Sequence, residues 1–325
     1  MSFCYSDFTS VIDQISILHQ RRIPFLFALD FKKTKGFCIK IDEINPETVL
    51  FEFSRPHHIQ KPQANSILSF TPPTFESYLN KFQIVQQHIQ QGDTYLCNLT
   101  QPTPIDSRLD LKGLFKISRA PYKLWVQNEF LVFSPETFVI IENGHISTFP
   151  MKGTADASEA SNLDKLMTDP KENAEHNTIV DLLRNDLSIV AQHVQVKKLK
   201  YIQQIQTDRG PLWQMSSEIS GKIKNAYIHQ VGQIFEQMLP AGSICGAPKL
   251  KTLEIIESVE SYPRNFYTGI FGYFDGHRLE SAVMIRFIEN VDGNFFYKSG
   301  GGITSLSNPH SEYQELLRKI YVPIF

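Results

Sequence analysis

Three two-residue turns limit what this chain can fold into more than any other feature. Asn143-Gly144, Asp275-Gly276 and Asp292-Gly293 each stand between apolar runs, and such dipeptides accept the positive φ that a tight hairpin needs. Two residues cannot carry a crossover, so the strands they join must be antiparallel. Phe138–Ile141 and Ile146–Met151 flank the first turn, and Gly269–Phe274, Ser281–Glu289 and Asn294–Ser299 form a second group around the other two. Further strands are expected over Phe25–Leu29, Phe37–Lys40, Val49–Phe53, Thr94–Thr100 and Leu124–Phe133.

Helices fill the intervals. Phe8, Val11, Ile12, Ile15 and Leu18 recur at helical spacing, and Thr74–Gln91 carries Phe75, Tyr78, Leu79, Phe82, Val85 and Ile89 on one side before Gly92 stops it. Helices are also predicted over Pro170–Ser188, Ile228–Met238, Lys249–Ser258 and Pro309–Ile320, with a proline-bearing loop over Arg55–Ala64. The reading is one α+β domain over 1–325, with large, mostly antiparallel sheets flanked by helices. Its length of 325 residues, 42% of them hydrophobic, allows a substantial core.

Charge and cysteines narrow the class. A net charge of -2 gives no global field for a polyanion, so nucleic acid is not an expected partner. The longest early apolar run, Ile23–Leu29, is too short to span a bilayer and no signal pattern precedes it, so a cytoplasmic chain without membrane association is expected. Cys4, Cys38, Cys97 and Cys245 are scattered, with no CxxC pair and no recognisable nucleophile motif.

Several constellations could carry chemistry. Glu172 and Glu175, and likewise Glu312 and Glu315, are spaced i, i+3 on predicted helices, so each pair shares a face. Solvated surface charge is the plain reading; two such faces could also hold one hard cation between them, because Mg²⁺ takes one or two carboxylates plus waters and an anionic substrate. Gly242–Lys249 lies between two helices, where unpaired N–H groups could face a carboxylate. Gly300–Gly302 could bring backbone N–H groups close to a ligand, or could mark a bulge. Arg286, inside the apolar run Ala282–Phe287, needs a carboxylate partner, structural or on a substrate. Lys319 is four residues after Glu315, which suits a helical ion pair as well as substrate binding. Lys152 and Glu136 lie eight residues on either side of Gly144. Solvated loop residues are the ordinary alternative, but an acid and an amine together at the open end of one hairpin would suit leaving-group protonation with nucleophilic displacement.

Six motifs then make a family resemblance: Gly92-Asp-Thr-Tyr-Leu-Cys-Asn-Leu-Thr100, Ser134-Pro-Glu-Thr-Phe138, Pro150-Met-Lys-Gly-Thr154, Glu175-His-Asn-Thr-Ile-Val-Asp-Leu-Leu-Arg-Asn-Asp186, Gly242-Ser-Ile-Cys-Gly-Ala-Pro-Lys249, and Gly300-Gly-Gly-Ile303 with Glu312-Tyr-Gln-Glu315. Their order and spacing resemble the chorismate-utilising enzymes over roughly 75–325, with 1–72 as a shortened N-terminal part. Lys152 is similar to the lysine of the aminodeoxychorismate synthase component I branch, where anthranilate synthases usually place alanine.

The resemblance implies chorismate as substrate and Mg²⁺ held by Glu175 and Glu315, with Glu172 and Glu312 as neighbouring acids. Thr154, Tyr267, Arg286, the Gly300, Gly301 and Gly302 backbone and Lys319 would surround the substrate. Lys152 would attack C2 while Glu136 protonates the departing C4 hydroxyl. Ammonia from a glutamine amidotransferase subunit would then give 4-amino-4-deoxychorismate, on the route to para-aminobenzoate and folate. The alternatives are anthranilate synthase component I and a catalytically silent partner subunit.

Three departures bear on this. Leu96 stands where isochorismate and salicylate synthases place a water-activating lysine. Gln214 stands where the family commonly has a histidine, and it cannot titrate. The Leu-Leu-Glu-Ser segment associated with tryptophan feedback is not found, so that regulation is not expected.

Overall fold

The computed structural model describes residues 3–53, 68–159, 161–207 and 210–324, and the side chains of all of these except 152–154, 171–172, 205–207 and 210. The loop expected over Arg55–Ala64 lies outside the described residues. In chain order come β1 (Ser6–Asp7), α1 (Phe8–Gln20), β2 (Phe25–Leu29), β3 (Lys35–Lys40), β4 (Val49–Phe53), β5 (Leu68–Phe70), α2 (Phe75–Gln90), β6 (Leu96–Ser107) and α3 (Leu111–Ile117). Next are β7 (Tyr122–Val126), β8 (Phe130–Ser134), β9 (Thr137–Glu142), β10 (His145–Thr148), β11 (Met151–Asp156), α4 (Ser161–Thr168), α5 (Pro170–Val190), β12 (Ala191–Thr207) and β13 (Gly210–Ile223). The chain ends with α6 (Val231–Met238), α7 (Gly242–Cys245), β14 (Gly246–Ala247), α8 (Lys249–Val259), β15 (Ile270–Phe274), β16 (Arg278–Val283), β17 (Phe287–Val291), β18 (Asn294–Ile303) and α9 (Pro309–Arg318).

The strands make two antiparallel sheets, as the turns require. The first has ten strands in the order β1-β3-β2-β15-β16-β9-β10-β13-β11, with β12 also paired to β13; the second has eight, β14-β6-β18-β17-β8-β7-β4, with β5 on β6. Asn143 and Gly144 have φ of 50° and 73°, and Asp292 and Gly293 have 51° and 84°, the backbone such dipeptides accommodate. One apolar cluster lies between the sheets and includes Leu26, Phe37, Leu124, Phe130, Phe271 and Phe287. A second joins α1, α5 and α6 to the ten-stranded sheet. A third joins α2, α8 and α9 to the eight-stranded sheet. The apolar stripe of α1 (Phe8, Val11, Ile12, Ile15 and Leu18) is buried, so its periodicity reads the core face correctly. Among the described residues no helix is long and apolar enough to cross a membrane.

Three strand expectations are corrected. Leu124–Phe133 is a hairpin of β7 and β8, turned at Asn128 with φ 60°. Ser281–Glu289 is two strands in different sheets, broken at Arg286, whose φ is 54°. Ile146–Met151 stops early: β10 ends at Thr148, Pro150 cannot donate to a ladder, and Met151 opens β11, which pairs with β13. Lys152 is therefore not on the strand that returns beside Glu136.

The position of the site follows from two crossings between the sheets. At Ser134–Thr137 the chain leaves the eight-stranded sheet for the ten-stranded one, and at Val283–Phe287 it goes back. The two crossings lie side by side: Val283 N donates to Glu136 O at 3.1 Å and Phe133 N to Arg286 O at 3.1 Å.

Candidate active site

On the C-terminal side, Asn308 caps α9 by accepting from His310 N and Ser311 N, with Pro309 at the first turn. This sets Glu312, Glu315 and Lys319 against β18. Ser307 Oγ donates to Glu312 Oε1 at 2.8 Å. Lys319 Nζ pairs with Glu315 Oε1 at 2.7 Å and donates to Gly300 O at 2.7 Å. The helical ion pair and the contact with the glycine run therefore coexist. A Cβ placed on Gly301 would sit 3.5 Å from both Glu312 Oε2 and Glu315 Oε1, and 3.8 Å from Lys319 Nζ. The glycine thus keeps a small space open beneath two carboxylates.

On the opposite side, Glu175 of α5 lines a cavity of about 710 Å³ together with Leu96, Ala174, Ile179, Gly302 and Thr304. Its neighbour His176 is fully buried, with Nε2 2.7 Å from Ser217 Oγ, which also accepts from Lys200 N at 2.9 Å. That contact fastens α5 to β13. The Glu172 side chain lies outside the described residues. The two acidic helices thus reach one stretch of β18, Glu175 by way of Gly302 and Glu312 with Glu315 by way of Gly301. Among the described residues no three His, Cys, Asp or Glu side chains form a ready-made metal cluster. Carboxylate oxygens are nonetheless the donor type that a hard cation takes.

The crossings supply the remaining groups. Glu136 Oε1 accepts from Ser243 Oγ at 2.9 Å. Ser243 belongs to the one-turn helix α7, and here the expectation of unpaired N–H groups is corrected. Gly242 N donates to Asp186 Oδ2 at 3.3 Å, and Lys249 Nζ pairs with Asp186 Oδ1 at 3.1 Å. The motif thus receives an internal carboxylate. Burial pushes the Asp186 carboxyl pKa up, and Lys249 pulls it back in part.

Arg286 is likewise corrected from a strand interior to a bend. Its guanidinium lies 5.4 Å from the Tyr321 ring centroid, its Nε is buried without a hydrogen-bond partner, and among the described residues no carboxylate pairs with it. Burial works against its charge, but Tyr321 and Tyr297 beside it raise its pKa overall. Tyr267 is buried, and its phenol pKa is pushed up by that burial. On β11, Thr154 stands opposite Gln214 of β13, and Gln214 Nε2 lies 3.1 Å from Met151 Sδ. The side chains of Lys152 and Thr154 lie outside the described residues.

Sequence reasoning missed the supports of this arrangement. Arg264 and Glu260 form a buried ion pair at 2.7 Å. Arg264 also donates to Asn98 O and Ile244 O, while Glu260 accepts from Thr100 N and Oγ1. Asn98 Nδ2 adds a second bond to Ile244 O at 2.7 Å. A charged pair four apart on the page looks like surface, and nothing local signals its burial.

Residues 19–324 match the family model of the chorismate binding enzymes. The chain belongs to the chorismate-binding enzyme family. This chorismate-binding enzyme is 47% identical over 315 residues to a PabA-like protein of Haemophilus influenzae, covering 96% of each chain. It is 33% identical over 261 residues to aminodeoxychorismate synthase component 1 of Klebsiella aerogenes, covering 75% of this chain and 56% of that one. The chorismate-binding enzyme therefore spans little more than half the length of that relative. Its fold matches a solved 2,3-dihydroxybenzoate-specific isochorismate synthase from Bacillus anthracis with a TM-score of 0.73 at 21% identity, over 98% of this chain and 89% of that one.

Proposed function

We propose that this chorismate-binding enzyme is an aminodeoxychorismate synthase component I, converting chorismate and ammonia to 4-amino-4-deoxychorismate and water. The observation that carries the reading is the pairing of two crossings, which places Glu136 against Val283 and Arg286 against Phe133, with the buried Arg286 Nε lacking a protein acceptor among the described residues. An acid for a leaving hydroxyl and a cation for a carboxylate are what this substrate asks of a site.

In the first step the neutral Lys152 amine attacks C2, the ring double bond shifts, and the C4–O bond breaks. Glu136 gives its proton to the departing oxygen, which leaves as water. In the second step ammonia attacks C4, the double bond shifts back, and the C2–N electron pair returns to Lys152, which leaves as a neutral amine. The extra proton on the new amine returns to the Glu136 carboxylate. Arg286, Tyr267, Thr154, Lys319 and the Gly300–Gly302 backbone hold the substrate and its carboxylates. Glu175 and Glu315, with Glu172 and Glu312 as neighbouring acids, would hold Mg²⁺, which would supply positive charge to the substrate carboxylate. Leu96, on the wall of the Glu175 cavity, offers no base to activate water, which disfavours hydroxylation at C2.

Ammonia comes from a separate glutamine amidotransferase subunit in this reading. Burial pushes the Cys97 thiol up to about 12 and the Cys245 thiol up to about 11, so neither is a ready thiolate nucleophile. The test is product identification after incubation with chorismate, Mg²⁺ and ammonium at alkaline pH. 4-Amino-4-deoxychorismate is expected; anthranilate would move the chain to anthranilate synthase component I, and no turnover would make it a silent subunit. Lys152→Ala should abolish most of that product while chorismate still binds, and full retention of the rate would sink the covalent step.

A further inference from the structure

We propose that Ser243 is a positioning residue for Glu136, fixing which carboxyl oxygen carries the acid proton. The inference rests on Glu136 as the general acid. Ser243 Oγ stands 2.9 Å from Glu136 Oε1. A serine hydroxyl has one proton, and donated here it makes Oε1 an acceptor, which favours the acid proton of the neutral carboxyl on Oε2. During leaving-group departure that proton moves from Oε2 to the C4 oxygen, and the C–O electron pair leaves with the water. The serine proton stays on Oγ throughout. Its hydrogen bond strengthens as Glu136 becomes a carboxylate, so it favours the transition state over the ground state.

Both ends of this contact are anchored on separate parts of the chain. Glu136 N donates to Ser134 Oγ at 3.1 Å, and Glu136 O accepts from Val283 N. On the other side, α7 is tied through Gly242 N to Asp186 and through Ile244 O to both Asn98 Nδ2 and Arg264. Arg264 is in turn held by Glu260 at 2.7 Å, so the backbone bearing Ser243 is fixed by a buried ion pair. The distance between serine and acid is thus set by the fold, and a freely rotating surface serine would not have this property.

A double-mutant cycle with ammonium as the nitrogen source tests the role. Ser243→Ala should lower kcat about tenfold with the KM for chorismate within about twofold of wild type, and Ser243→Thr, which keeps the hydroxyl, should restore most of the rate. In the Glu136→Gln background, where no acid proton remains to be positioned, Ser243→Ala should cost nothing further. If Glu136→Gln is slow and Ser243→Ala costs the same in both backgrounds, or if Ser243→Thr is as impaired as Ser243→Ala, the positioning role is overturned and the acid stands. Wild-type kcat in Glu136→Gln would overturn the acid itself, and the role of Ser243 with it.

Discussion

An alanine scan of the three consecutive glycines of β18 separates packing from function, because a methyl group meets something different at each. At Gly301 it would lie in ordinary contact, 3.5 Å from Glu312 Oε2 and Glu315 Oε1. It fits without strain, and alanine in a strand gains about 0.5–1 kcal/mol over glycine from lower chain entropy. The methyl would, however, cover two carboxylate oxygens and shut out anything that binds there. A lost hydrogen bond to a charged group is worth about 1.5–3 kcal/mol, so binding should weaken by about ten- to a hundredfold. At Gly300 the same methyl would lie 2.3 Å from Leu99 O and 2.6 Å from Thr100 Cγ2, and backbone must move. Overpacking of this kind costs about 1–3 kcal/mol or more, here along the β6–β18 ladder. Gly302→Ala is intermediate, since its nearest neighbour, at 2.9 Å, is the end of the Leu96 side chain. Urea unfolding gives the stability of each variant; the chorismate KM and the Mg²⁺ half-saturation give the function. Gly300→Ala should be destabilised, and Gly301→Ala should fold like wild type with both kinetic constants raised. A folded Gly301→Ala with wild-type constants would refute the view that the space above Gly301 belongs to the site.

Glu175→Gln and Glu315→Gln should each raise the Mg²⁺ half-saturation and the chorismate KM together, by about tenfold or more, because the ion is expected to bridge protein and substrate carboxylates; unchanged activity after exhaustive chelation would remove the metal from the scheme. With burial holding Cys97 and Cys245 protonated up to about 12 and about 11, and Cys38 also buried, an aromatic disulfide reagent at about pH 8 should titrate exposed Cys4 quickly and the others only after denaturation. Two or more fast thiols in the native protein would contradict the burial. Burial raises the folded-state pKa of Asp186, so the native state holds that proton more tightly than the unfolded one and loses stability as pH rises from 3.8 through the raised value. Relative to wild type, Asp186→Asn should therefore gain in Tm as pH rises above 3.8; a relative loss would mean that the Lys249 pair outweighs burial.

Features that depend on neighbours in sequence were legible, and those that depend on distant partners were not. The Asn143-Gly144 and Asp292-Gly293 hairpins, the apolar face of α1, and the acid steps on α5 and α9 are set by dihedral preference or by helical spacing, and all were read correctly as structure. The β12–β13 hairpin was missed because β12 is rich in Lys and Gln and neither strand carries a clear apolar alternation, and mutual pairing along much of both strands decides it. Arg286 looked like a strand residue because its flanks are apolar. Those flanks are buried in two different sheets, and the bend between them has no local marker. Ser243 meets Glu136 across 107 positions and Thr100 meets Glu260 across 160, distances at which a single sequence is silent about contact.

Why the candidate site should lie at the joint of the two sheets has a physical answer. A chain that leaves one sheet for another gives up ladder hydrogen bonds for a few residues, and buried backbone groups left unpaired there would be costly. Here the two crossings run against each other and satisfy one another, through Val283 N to Glu136 O and Phe133 N to Arg286 O. The side chains at the bends then belong to neither ladder, so they need not conform to the apolar alternation that fills both sheets. Such a position can hold an acid and a guanidinium near the core at little cost to folding. In the proposed reading the chemistry is adjustable by single residues: Leu96 on β6, Lys152 on β11 and Ser243 on α7 belong to three separate segments of the chain. In the proposed reaction the glycines and cations of such a scaffold hold the substrate, and the outcome is decided by which side chain the surrounding segments present to the ring.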